Sequence, residues 1–188
     1  MKRLAVFCGS SYGASTQYTE AAIQLGKELG RRNISLVYGG ASVGLMGVVA
    51  DTVLREGGEV IGVMPQILQE KEISHQHITE LYVVDSMHDR KAKMAELADG
   101  FIVLPGGPGT LEEFFEIFTW RQIGLHKKPF GLLNVNNYYD PLLAVFDHMV
   151  QEQFMKDIYK AGIIVEADSA TLIDQFADFR LPVVKYEN

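Results

Sequence analysis

Seven short apolar runs, each followed by a stretch of helical character, constrain this chain more than any other feature. They fall at residues 4–8, 36–38, 60–64, 81–84, 101–104, 130–133 and 163–165. Buried parallel strands are apolar on both faces and need a crossover, usually a helix, between neighbours, so this alternation predicts a parallel α/β sheet. Between the first two runs Tyr18, Ala21, Ala22, Leu25 and Leu29 share one helical face. Leu111, Phe114, Phe115, Phe118 and Leu125 make a second such face, and glycines mark most strand ends. The expected fold is a Rossmann-like, doubly wound α/β sheet of about seven mainly parallel strands with helices on both faces. With 188 residues, 47% of them hydrophobic, residues 1–188 are expected to form a single nucleotide-binding catalytic domain. The segment 65–79 is long for a connection and is a candidate lid or substrate loop.

Composition narrows the partner. A formal charge of −7 opposes adhesion to nucleic acid, and no run approaches the roughly 18 apolar residues of a membrane span. One cysteine, Cys8, cannot form an internal disulfide, and the opening apolar run is too short for a secretory signal. A cytoplasmic, unprocessed protein with a small-molecule ligand is expected.

Ligands of open parallel sheets bind beyond the carboxyl ends of the strands, and four places there stand out. Cys8-Gly9-Ser10-Ser11 is either a phosphate- or ribose-holding turn or a plain Gly/Ser turn, with Cys8 a small buried strand residue. The loop 39–47, GGASVGLMG, lets backbone approach an anion at Gly40 or simply packs helix on strand. It lacks the lysine of a Walker loop, and no acid ends its strand to hold a ribose diol, which disfavours a dinucleotide. PGGPGTLEE at 105–113 is the most specific signal. Amides of Gly107, Gly109 and Thr110 suit a phosphate at a helix N-terminus, yet Thr110 and Glu113 also have the spacing of a capping box. In the fourth, Ser86-Met87-His88-Asp89-Arg90-Lys91, two cations occupy an unfavourable end of a helix, either awaiting an anionic partner or solvated at the surface. His75 and His77 lack further spaced ligands, so no metal is expected.

Taken together, CGSS, GGASVGLMG, MHDRK and PGGPGTLEE, in this order along the chain, resemble the LONELY GUY phosphoribohydrolases, once widely labelled lysine decarboxylases. The resemblance covers nearly the whole chain. It implies hydrolysis of the N-glycosidic bond of adenine-type (cytokinin) nucleoside 5′-monophosphates, without a cofactor. It implies catalytic roles for Arg90 and Glu113, nucleotide binding by Lys91 and by Gly106, Gly107, Gly109 and Thr110, further contacts from Glu72, Met87 and Thr119, and a homodimer or larger assembly. Ser10 and Gly40 join the substrate contacts from the loop readings above. Two departures stand out: Ala41 replaces a common third glycine, and Arg121 occupies a position where a small residue is usual, which bears on base preference or dimer contacts. No lysine sits in a setting suited to a pyridoxal Schiff base. AMP or general nucleotide salvage, a non-catalytic nucleotide carrier, and a scaffold presenting the aromatic helix at 114–120 remain the competing readings.

Overall fold

In the computed structural model, residues 1–69 and 74–180 are described. The chain runs β1 (Arg3–Phe7), α1 (Thr16–Arg31), β2 (Ser35–Tyr38), α2 (Gly44–Arg55), β3 (Val60–Pro65), α3 (Gln66–Gln69), β4 (Glu80–Val84), α4 (Met87–Leu97), β5 (Gly100–Val103), α5 (Pro108–Gln122), β6 (Phe130–Leu133), a 3-10 turn at Val135–Asn137, α6 (Asp140–Gln151), α7 (Asp157–Ala161), β7 (Ile164–Glu166) and α8 (Ser169–Asp178). The sheet order is β4-β3-β2-β1-β5-β6-β7, and each of its six neighbouring pairs is parallel. The doubly wound expectation therefore holds, and each expected strand lies within a residue of its apolar run.

Alternating side chains of each strand serve two cores, because successive Cβ atoms point to opposite faces. Leu4, Val6, Leu36 and Ile102 pack with Leu25 and Leu29 of α1, Val49 and Val53 of α2, and Leu172 and Phe176 of α8. Ala5, Phe7, Val37 and Phe101 face the other way, against Met94 of α4, Phe114 and Phe118 of α5, and Phe146 of α6. The rings of Phe114, Phe118, Phe130 and Phe146 interlock with centroids 5.3–6.0 Å apart, so these phenylalanines of α5 are core and not a scaffold surface. Leu125 departs from the expected face: α5 ends at Gln122, a left-handed Gly124 follows, and Leu125 is exposed.

Strand order reverses direction from β1, with β2 on one side and β5 on the other, which opens a crevice between the loops that follow β1 and β5. Three loops are locked together there. Gly9 donates its N–H to the Pro105 carbonyl at 3.1 Å, and its own carbonyl accepts from the Leu45 N–H at 3.1 Å. A Cβ at Gly44 would lie 2.2 Å from the Ser10 carbonyl carbon, so the first and second loops meet backbone to backbone. Ala41 is compatible with this packing because the left-handed positions in the loop are Gly40 and Gly44, not residue 41. Beyond β3, α3 opens the segment 65–79, Ser74 bridges Ala41, and the His75 N–H donates to the Gly40 carbonyl. Among the described residues no helix is long and apolar enough to cross a membrane.

Candidate active site

The N-terminus of α5 defines the site. Its N-cap is Gly107 in extended conformation, Pro108 takes the first helical position, and no side chain caps the first turn. Thr110 therefore stands inside the helix and Glu113 one turn further in, so the capping-box reading of this pair fails. A Cβ on Gly106 would lie 2.1 Å from Thr110 Oγ1 and 2.8 Å from the Gly9 amide, whereas Gly107 and Gly109 face open space. The exposed turn thus leaves backbone amides at the positive end of a 15-residue helix open to an anion. At α2 the equivalent end is spent within the protein, since the Leu45 amide binds Gly9.

Glu113 meets Arg90 across a cavity of about 230 Å³. Arg90 sits on α4, whose N-cap Ser86 accepts from the Asp89 N–H at 3.1 Å and donates its hydroxyl to the Asp89 carboxylate at 2.6 Å. The Arg90 side chain runs inward, donates from Nε to the Val63 carbonyl at 3.2 Å, and passes so close to Gly39 that a Cβ there would stand 2.3 Å from Nη2. Nη2 lies 2.9 Å from Glu113 Oε1. That oxygen has no aligned hydrogen bond, so the contact is an ion pair off the N–H direction. Both side chains are nearly buried, at 11% and 8% exposure, which excludes a solvated surface role for Arg90. Burial pushes the Glu113 carboxyl above its ordinary range, and the Arg90 charge offsets this only in part.

Cys8, Ser10, Met46, Met87, Gly107, Gly109, Thr110 and Glu112 complete the lining. Burial, reinforced by the Glu113 charge, pushes the Cys8 thiol far up, so it is a protonated wall residue and not a nucleophile. Cys8 is the buried residue its place at the end of β1 led one to expect, whereas spacing did not reveal Met46 or the clearance at Gly39, which requires knowing where Arg90 runs.

Ser10, Met87, Arg90, Gly107, Gly109, Thr110 and Glu113 thus come together, while other candidates do not. Lys91 is buried, its ammonium 2.6 Å from Glu112 and 3.2 Å from Glu116. Burial opposes its charge, but the two carboxylates outweigh that and hold it above its ordinary range. Gly40 is buried under Met64 and Leu81, Gly106 supports Thr110 from behind, and Thr119 is exposed further along α5. Glu72 lies outside the described residues. Arg121 is not among the residues that line the cavity; its guanidinium stands 3.7 Å above the Phe130 ring, and burial lowers its pKa to about 10. His75 Nε2 is 3.0 Å from Asp51 Oδ1, and its Nδ1 accepts from the His77 N–H.

Fold and site together define a doubly wound α/β protein with an anion-receptive helix end and a buried arginine–glutamate pair at its topological switch point. Solved structures share the frame: the molybdenum cofactor carrier protein of Chlamydomonas reinhardtii matches with a TM-score of 0.71 at 19% identity, over 95% of this chain and 99% of that one. The model of a family described as "Possible lysine decarboxylase" matches residues 46–176. The cytokinin riboside 5′-monophosphate phosphoribohydrolase LOG of Oryza sativa subsp. japonica is 50% identical over 186 residues, covering 99% of this chain and 76% of the relative. LOG7 of Arabidopsis thaliana is 50% identical over 178 residues, covering 95% and 82%. The chain belongs to this LOG family of phosphoribohydrolases. The decarboxylase wording does not fit Lys91, because a Schiff base needs a neutral amine and its ammonium is held charged between two carboxylates.

Proposed function

We propose that the protein hydrolyses the N-glycosidic bond of adenine-type cytokinin nucleoside 5′-monophosphates, giving the free base and ribose 5-phosphate. The observation that carries this is the buried Arg90–Glu113 pair beside the uncapped start of α5. In this reading the phosphate binds at Gly107, Gly109 and Thr110 and serves as the handle that sets C1′ near Glu113. The C1′–N9 bond breaks with its electron pair leaving on the base. The Glu113 carboxylate stabilises the positive charge growing on the sugar and takes a proton from the attacking water, whose oxygen bonds to C1′. Its raised proton affinity suits a general base, and the Arg90 guanidinium offsets negative charge on the departing base until N9 takes a proton from solvent, to which Glu113 releases the one it took from water. Met87 and Ser10 contact the nucleotide from the cavity wall. Lys91 acts from outside it, by offsetting the charge of Glu112, which lines the cavity, and of Glu116.

Two copies are proposed to pair. Ile123, Leu125 and Phe154 are exposed at 66, 68 and 89%, an apolar surface of the kind a second copy covers. Thr119 stands roughly 9 Å along α5 from Glu113 and about 120° around it, so any contact from it to nucleotide is made in a neighbouring copy.

Glu113→Gln tests the chemistry. It keeps the shape and the fold but removes the charge, so nucleotide binding should persist while turnover falls by about 100- to 10,000-fold. Undiminished turnover would reject the assignment.

A further inference from the structure

A second, larger cavity of about 410 Å³ lies across the ridge formed by Gly9, Ser10, Gly107 and Pro108, which it shares as a wall with the first. Neither Arg90 nor Glu113 reaches it, and among the described residues no charged side chain lines it. Its other walls are aromatic and apolar: Tyr12, Tyr18, Tyr138 and Leu45. The rings are held in place. Tyr18 and Tyr138 pack edge to face at 5.8 Å, and the Tyr138 hydroxyl donates to the Gly106 carbonyl at 2.6 Å. Gly13 is left-handed (φ +75°), and a Cβ there would stand 2.6 Å from the Tyr18 ring, so the loop after β1 is built around that ring. Tyr12 and Tyr138 remain 57% and 40% exposed, leaving ring surface for a ligand to cover.

We infer that this cavity binds a free, neutral, planar heteroaromatic base against the ring of Tyr12 and the packed Tyr18–Tyr138 pair. Its volume falls in the usual range for small-molecule pockets, about 300–1,000 Å³, and ring faces bind flat bases by stacking with little regard to their identity. Ring faces and apolar walls make up most of the lining beyond the shared ridge, which suits the flat base more than the sugar or phosphate of a nucleotide. The choice of a purine as that base rests on the proposed hydrolysis; the neutrality and the aromatic walls do not. A base lodged here touches the Gly106–Gly107 segment that forms one wall of the catalytic cavity, so its occupancy is read by the enzyme without blocking C1′.

The test is calorimetric titration of the full chain with adenine, alone and in the presence of ribose 5-phosphate, together with inhibition of AMP hydrolysis by adenine. One adenine per chain is expected, bound equally well with ribose 5-phosphate present, and inhibition noncompetitive with AMP. Tyr12→Ala should weaken adenine at least tenfold and Tyr12→Phe, which keeps the ring, less than twofold, both leaving the KM for AMP within twofold. Strictly competitive inhibition, adenine binding unmoved by Tyr12→Ala, or no adenine binding at millimolar concentration would overturn the inference. Adenine binding that is indifferent to ribose 5-phosphate and weakened by Tyr12→Ala, in a protein without hydrolytic activity, would uphold the pocket and reject the hydrolase reading instead.

Discussion

Burial and the neighbouring Arg90 charge together set the state of Glu113. A buried carboxylate ordinarily loses its charge, and one left beside no cation is costly, so Arg90→Ala should destabilise the fold by about 3–5 kcal/mol in chemical denaturation as well as remove activity. The same burial predicts the pH profile. Because burial raises the Glu113 proton affinity and the base must be ionised, kcat should climb with pH through an apparent pKa above the ordinary glutamate value of about 4.3 and then level off. The stability sign is opposite: the native state binds this proton more tightly than the unfolded chain, so this contribution is fully present below about pH 4.3 and is lost as pH rises through the raised pKa. An acidic limb at or below 4.3 in initial rates would contradict the assignment. At this scale the sequence was only partly legible. Arg90 and Glu113 carry the motif, but the partner of Lys91 is two carboxylates on a different helix, which no local spacing reveals.

Elements fix where those residues point. The spacing of Thr110 and Glu113 fits a capping box only if the helix starts after Thr110; Pro108, suited to a first helical position, starts it earlier and turns Glu113 inward. The glycines divide accordingly. Gly107 and Gly109 have open space, while Gly39 and Gly106 have none. Gly39→Ala should push the guanidinium from its seat, lowering kcat at least tenfold with a melting temperature within a few degrees of the parent, because the obstacle is the far end of a side chain. Gly106→Ala meets Thr110 and the Gly9 backbone and should destabilise by about 1–3 kcal/mol while weakening nucleotide binding. Paired thermal melts and steady-state kinetics separate the two. Reversal of that pattern would mean that Arg90 is not the group Gly39 accommodates.

For the molecule as a whole, periodicity made the sheet legible: apolar runs of 3–5 residues became parallel strands, the five inner ones buried on both faces and the edge strands β4 and β7 only partly covered. Assembly was not legible in the same way, since Leu125 reads as part of a buried helical face and instead joins Ile123 and Phe154 at the surface. Light scattering on the purified chain should give a dimer, and Phe154→Asp, at a side chain 89% exposed, should give a monomer with an unchanged melting temperature. A monomeric parent would reject the pairing. The central claim, that a phosphate handle positions C1′ beside Glu113, is tested most directly by incubating the protein with N6-isopentenyladenosine monophosphate, AMP, CMP and the matching nucleosides, and following free base and ribose 5-phosphate by chromatography. Release of base with equimolar ribose 5-phosphate from the adenine-type monophosphates, and little or none from the nucleosides, is predicted. Equal cleavage of nucleosides, or tight nucleotide binding with no base released, would contradict it.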